Sequence, residues 1–260
     1  MDTFLKLPVV KVNGDQTQII DETIITEYPL TLYVNDKVFN TFYCTPQDLE
    51  ALVVGYLMSC GRLGAKQDIL GLEIIRKKNI AKIQLAKCAT KPELKPVEKP
   101  MLVKIENIYE IMIKNIKPTE LFLKTGGFHN VAIYDNKKEI ITMMDVARHN
   151  AVDKVLGYCV LNEIDCRDKM LVVSGRISVD MLIKAEQGNI PMVLSKSAPT
   201  SLSVARADAA GITLVGFIRG EQMNVYTHPT RIDLGEEAFR AINKNKRITS
   251  MKNASIYLRS

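Results

Sequence analysis

From Met170 to Phe217 the chain alternates short apolar runs with helix-like stretches, and every junction is a polar turn. Apolar runs at 170–174, 191–195 and 212–217 flank amphipathic patterns at 178–187 and 200–210. Strands separated by helices require crossover connections, so this rhythm predicts a parallel sheet covered by helices. In such sheets a ligand binds in the crevice beyond the carboxyl ends of the strands. The rule selects Ser174-Gly175-Arg176, the stretch from Lys196 to Ser201, and the stretch from Phe217 to Gln222. A hairpin (131–134 with 139–143) and a helix over 147–161 lead into this region.

The first half reads differently. Residues 17–43 are rich in Ile, Thr, Val and Tyr and are broken at Tyr28-Pro29 and Asn35-Asp36, a pattern that predicts a meander of strands. Thr45-Pro46-Gln47-Asp48 then opens a helix, with Thr45 as its cap and Pro46 in its first turn. Leu49, Leu52, Val53, Tyr56, Leu57 and Cys60 occupy one face of that helix, and Gly61 suits its end. Strands at 72–75 and 81–85 follow, then a Lys- and Pro-rich loop at 87–99 and a helix over 105–116.

The net charge of +6 is compatible with nucleic acid, and equally with a small phosphorylated anion. No basic cluster alternates with aromatics and there is no Trp, which argues against nucleic acid. The amino-terminal residues carry no secretory pattern, and no apolar run is long enough to cross a membrane. Five cysteines, an odd number without a regular framework, indicate a reducing compartment, here the cytoplasm.

Several residues have chemistry suited to an anion. Gly175 permits close backbone approach, Arg176 offers a planar fork to phosphate, and Ser178 can cap a helix whose free N–H groups attract anions. Ser197, Thr200 and Ser201 repeat that logic at the next strand. Polar strand-to-helix turns are commonplace, and one alone reads as plain structure; two side by side point to an anion site. Phe217 to Gln222 reads either as a hairpin with a surface arginine or as a cationic backbone where a nucleotide would lie. Asp145 to Lys154 is the densest polar cluster. There His149 and Asp153 are four residues apart, so the carboxylate could orient the imidazole, against the plainer reading of a solvated helix start. His129 and His228 also fall beside turns. His149-Asn150-Ala151 lacks a deaminase glutamate and no Pro-Cys-x-x-Cys is present, so no zinc is expected. Among the cysteines, Cys44, Cys60 and Cys159 fit burial, Cys166 lies in a loop of mixed charge, and Cys88 has lysines nearby that favour a thiolate.

Thr125-Gly126-Gly127-Phe128-His129, the stretch 145–154, Ser174-Gly175-Arg176-Ile177-Ser178, Ser197-Ala198-Pro199-Thr200-Ser201 and the stretch 216–231 resemble, in order and spacing, motifs of the formate dehydrogenase accessory sulfurtransferase family (FdhD type). The resemblance covers about residues 17–232. It implies an α/β protein (α+β overall), with a strand-rich N-terminal domain at 1–117. The second domain, at 118–260, would be a cytidine-deaminase-like α/β/α domain without zinc, and the protein a cytoplasmic homodimer.

The implied role is sulfur relay, with no nucleic acid and no membrane involved. A cysteine desulfurase loads a persulfide on a loop cysteine, here Cys88, and the sulfur passes to bis-molybdopterin guanine dinucleotide before that molybdenum cofactor enters formate dehydrogenase. The family's cofactor-binding hexapeptide corresponds to Phe217, Ile218, Arg219, Gly220, Glu221 and Gln222. Arg148, His149, Ser174, Gly175, Arg176, Ser197, Thr200 and Ser201 join it. The family's loop carries Cys-x-x-Cys, whereas this chain reads Cys88-Ala89-Thr90-Lys91, and Ala147 stands where the family has Gly. The alternative is therefore a cofactor-binding chaperone that has lost sulfur transfer.

Overall fold

The structure, a computed structural model, describes residues 3–86, 101–116 and 127–244. Strands β1 (Phe4–Asn13) and β2 (Gln16–Ile25) form an antiparallel ribbon separate from every other sheet. The meander expected over 17–43 is thus divided: β2 pairs back onto β1, while β3 (Tyr28–Val34) and β4 (Lys37–Cys44) form a hairpin of another sheet. Asn35 and Asp36 both adopt positive φ, the conformation of a tight two-residue hairpin turn. Helix α1 (Leu49–Ser59) follows, then β5 (Ile69–Ile75) and β6 (Ile80–Leu85), and the four strands lie in the order β4-β3-β6-β5.

Helix α1 starts later than the sequence predicts. Asp48, with φ 53°, is its first flanking residue, and no side chain caps it. Thr45 instead gives its backbone N–H and its hydroxyl to the Asp145 carboxylate, across a separation of one hundred residues. The end agrees with expectation: Gly61 takes the left-handed conformation, and Gly61 and Arg62 donate back to Met58 and Leu57. Burial is not confined to one face. Leu49, Ala51, Leu52, Val53, Val54, Gly55, Leu57 and Met58 are all buried, because a sheet packs on one side and a second helix on the other.

Strand β7 (Val103–Lys104) and helix α2 (Ile105–Ile116) come next. The rest comprises β8 (His129–Asp135), β9 (Lys138–Asp145), α3 (Arg148–Leu161), β10 (Met170–Val173), α4 (Val179–Gln187), β11 (Met192–Ser195), α5 (Ser201–Ala209), β12 (Thr213–Arg219), β13 (Gln222–Thr227), β14 (Ile232–Asp233) and α6 (Glu236–Lys244). Six strands form one sheet in the order β13-β12-β11-β10-β8-β9. The central β10, β11 and β12 are parallel, as the alternating pattern predicts, and the flanking strands are antiparallel. Leu171, Val173, Val193 and Leu214 face α3, α4 and α5; Met170, Val172, Leu194 and Val215 face α2. Segment 103–116, expected with the first half, packs against this second sheet through Val103, Ile108, Ile111 and Met112.

Helices α1 and α3 join the two sheets by backbone contact. A Cβ at Gly55 would sit 1.8 Å from the Asp153 carbonyl oxygen, and one at Gly157 would sit 1.9 Å from that of Ala51. Only glycine fits either place. Below this crossing lies a buried ion pair: Lys154 Nζ is 2.8 Å from Asp145 Oδ2, and both side chains are fully enclosed. Lys154 also donates to the Thr45 hydroxyl and the Met144 carbonyl, while the other Asp145 oxygen accepts from Ala147 N–H and Asn150 Nδ2. Asn150 donates further to the Tyr43 carbonyl. Buried charges persist only with such complete pairing. Among the described residues no helix is long and apolar enough to cross a membrane.

Candidate functional site

The turns after β10, β11 and β12 form one continuous rim. Ser195, the last residue of β11, donates its hydroxyl to the Gly175 carbonyl at 2.7 Å and accepts from Ser197 N–H. Ile177 N–H bonds the Ala198 carbonyl and Thr200 N–H returns the bond to Ile177, so the first two turns pair like short strands. Phe217 N–H donates to the Ser197 carbonyl, and Arg219 Nε to that of Lys196 at 3.4 Å. Gly216 is needed where the third turn meets the second, since a Cβ there would press on Ser197 and Pro199 at 2.9 and 3.0 Å. Two helix starts open on this rim. Thr200 caps α5 by accepting from Ser203 N–H, whereas Ser178 precedes α4 without a side-chain cap.

Strand β8 runs opposite to β10, so its first residues arrive at the same end. Asn130 and Ser174 exchange hydrogen bonds through Asn130 N–H to Ser174 Oγ and Ser174 N–H to the Asn130 carbonyl. A Cβ on Gly175 would stand 3.5 Å from His129 Nδ1 and 3.8 Å from Arg148 Cδ. The imidazole and the first residue of α3 therefore flank the Gly175 turn. Asn130 is buried, and its side-chain oxygen has no hydrogen-bond partner among the described residues. No periodic signal in the sequence marks it.

Charge at the rim is predominantly positive. Partial burial and then the Arg148 guanidinium hold His129 below the ordinary histidine range, with His149 and Lys196 acting in the same direction and Asp145 opposing. Burial and then Lys184 do the same for His149, opposed by Asp153 and Asp145. Both rings are consequently neutral at pH 7, and each would gain protonation beside a bound anion.

The structure separates the residues expected at this site. Ser174, Gly175, Arg176, Ser197, Thr200, Ser201, Phe217 and Arg219 lie in or beside the connected turns, with Arg148 at the start of α3. Phe217 adopts φ 53° at an irregularity of β12 and is 38% exposed, with the Arg219 guanidinium 5.8 Å above its ring. Ile218 is fully buried among α2 side chains on the other side of the sheet, so it is a core residue. Gly220 and Glu221 turn the chain into β13, which begins at Gln222. His228 lies at the opposite end of the sheet, against the Asp208 carbonyl at 2.9 Å.

His149 is exposed, and of the two readings of its neighbour Asp153 the ordinary ion pair is the one seen. Both Asp153 oxygens accept from Lys184 at 2.7 Å and one from Ser59, because α4 and α1 bring those groups to the carboxylate. His149 instead borders a cavity of about 400 Å³ with Tyr43, Tyr56, Asn150 and Lys184. The thiols also differ from expectation. Cys60, past the end of α1, is exposed, and Cys166 is buried beside Cys159. Cys44 is buried, and burial first, then Asp145, pushes its thiol up to about 12. Cys88, Thr125 and Gly126 lie outside the described residues.

The model of the FdhD/NarQ family matches residues 25–99 and 86–233. The chain belongs to this family. A sulfur carrier protein FdhD from Geobacillus kaustophilus is 34% identical over 254 residues, covering 88% of this chain and 97% of that protein. One from Halalkalibacterium halodurans is 37% identical over 240 residues, covering 82% and 89%. A crystal structure from Desulfotalea psychrophila, described as a formate dehydrogenase accessory protein, aligns with TM-score 0.80 at 26% identity over 89% of this chain and all of that one.

Proposed function

We propose that this chain is a sulfur carrier. It takes sulfur from a cysteine desulfurase and passes it to bis-molybdopterin guanine dinucleotide, in the cytoplasm, before that cofactor enters formate dehydrogenase. The observation that carries the reading is the hydrogen-bonded rim at the carboxyl ends of three parallel strands, cationic and edged by an exposed aromatic, in a chain of this family. Backbone N–H groups and arginines suit the phosphates of the dinucleotide, and Phe217 with Arg219 suits the guanine face. The reading also includes a homodimer and a zinc-free, deaminase-like second domain at 118–260.

Cys88 is the proposed carrier. Its thiolate attacks the outer sulfur of the desulfurase persulfide, the S–S bond there breaks, and the desulfurase thiolate leaves. Three described cysteines are buried, which leaves Cys60 as the exposed rival; burial first pushes its thiol up, with Tyr56, Lys184 and Arg62 opposing. Incubation with desulfurase and cysteine should add one sulfur atom to the intact mass, and Cys88→Ser should abolish the gain while Cys60→Ser keeps it. A wild-type chain that never gains sulfur would replace this reading with the second one, a cofactor chaperone, which Cys88-Ala89-Thr90-Lys91 favours by lacking the second thiol.

A further inference from the structure

Cys159 sits in the last turn of α3, and Cys166 lies in the connection to β10, at the end of the sheet opposite the rim. The chain between them reverses sharply. Glu163 takes the left-handed conformation at φ 55°, its N–H bonds the Val160 carbonyl, and Ile164 N–H bonds the Cys159 carbonyl at 2.8 Å. This pair of bonds is the Schellman motif that folds a chain back over the helix it leaves. It folds both cysteines into one buried cluster and onto the wall of one cavity. Cys166 also donates to the Ile164 carbonyl at 3.7 Å.

Both cysteines line a cavity of about 500 Å³ whose wall includes Met58, Gln67, Arg167 and Asn189. The thiols are 3% and 7% exposed, so large reagents are excluded while a molecule the size of a peroxide has room. Two buried thiols on one cavity wall, with six residues between them, have no part in the relay described above.

We propose that Cys159 and Cys166 are a redox-closable dithiol, converted by a hydroperoxide into a disulfide that ties the end of α3 to the entry of β10. In the first step one sulfur attacks the peroxide, the O–O bond breaks, and a sulfenic acid and water form. The second thiol then attacks that sulfur, the S–O bond breaks, and a second water leaves. Two thiols lose two electrons and two protons, and hydrogen peroxide is reduced to two waters. The neighbouring Cys159 thiol first, and then burial, hold the Cys166 thiol well above its ordinary range, which makes closure slow at neutral pH and faster in alkali.

The disulfide would fix two elements that carry the rim. Helix α3 begins at Arg148, and β10 leads into Ser174-Gly175-Arg176. The inference stands apart from sulfur relay, because relay adds a sulfur atom and closure removes two hydrogens.

The test uses the full chain with Cys60→Ser and Cys88→Ser, treated with hydrogen peroxide and read by intact mass without reductant. The expected result is loss of two hydrogens, reversal by a dithiol reductant, and a peptide linking residues 159 and 166. Adding Cys166→Ser should eliminate the loss. Peptide mapping of the oxidised wild-type chain reads the same link if the variants fold poorly. A folded sample that keeps its mass, gains only oxygen, or still loses two hydrogens with Cys166→Ser overturns the proposal.

Discussion

Arg176 and Arg219 are exposed at the rim, with no buried ion pair among the described residues, so their removal tests binding more than folding. Arg176→Ala and Arg219→Ala should each weaken guanine nucleotide binding by about 1.5–3 kcal/mol, the value of a charge-assisted hydrogen bond. That is roughly tenfold to a hundredfold by calorimetry. Unchanged affinity in both variants would remove the nucleotide from this rim. The histidines set a pH dependence. Folding lowers the affinity of His129 and His149 for protons, so below about pH 6.5 the unfolded chain binds more of them. Their contribution to stability is therefore complete above that pH and is lost as pH falls through it toward the folded values. His129→Asn should flatten this part of the denaturation profile measured between pH 7 and 5. A phosphate at the rim reverses the sign for binding, and nucleotide affinity should rise over the same acid range. At this scale the strand-end rule led to Gly175, Arg176 and Arg219, all of which lie on the rim, while the placement of two other side chains was not legible. Ile218 shares a hexapeptide with Phe217 and Arg219, yet a strand alternates its faces and sends Ile218 into the core. Asp153 lies one helical turn from His149, but its partner Lys184 comes from α4, which no spacing within α3 could disclose.

The contact between α1 and α3 admits no side chain at either glycine, so Gly55→Ala and Gly157→Ala should each cost about 3 kcal/mol or more. Gly71→Ala is the control, since a Cβ there meets nothing within 4 Å and the residue has no positive φ. Chemical denaturation of the three variants would show the difference; equal losses would mean that the helices can separate without penalty. The buried pair beneath the crossing behaves differently. Lys154→Met leaves Asp145 charged in an enclosed site and should cost about 3–5 kcal/mol, whereas the double variant Lys154→Met with Asp145→Asn should recover part of that loss. Helix α2, with a clear apolar face, was legible, and α3 and the strand–helix alternation also fall within a few residues of expectation. Helix α1 was legible only as a helix. Its second buried flank exists because α3 arrives from the other half of the chain, and the start assigned to Thr45 failed because Asp145 claims that residue.

At the scale of the whole molecule, the β1–β2 ribbon stands outside both larger sheets and exposes Val10, Val12 and Ile19. A chain starting at residue 26 should keep its circular dichroism and melt within a few degrees of the full protein, because the remaining sheets retain their own cores. A cooperative loss of structure would show that the ribbon supports the rest. The ribbon was the least legible part of the sequence. Strand β1 mixes lysines with valines and contains Pro8, and the pairing that defines it falls across Asn13-Gly14 rather than within the expected meander. The glycine crossing has a further consequence, in time. A ribosome completes α1 about ninety residues before it begins α3, and at about 5–20 residues per second the uncovered flank of α1 waits roughly 5–20 seconds for its partner. During that interval the Met58 and Ala51 side has no native cover, so the nascent first half is the stage of synthesis at which a holding chaperone has the most to shield.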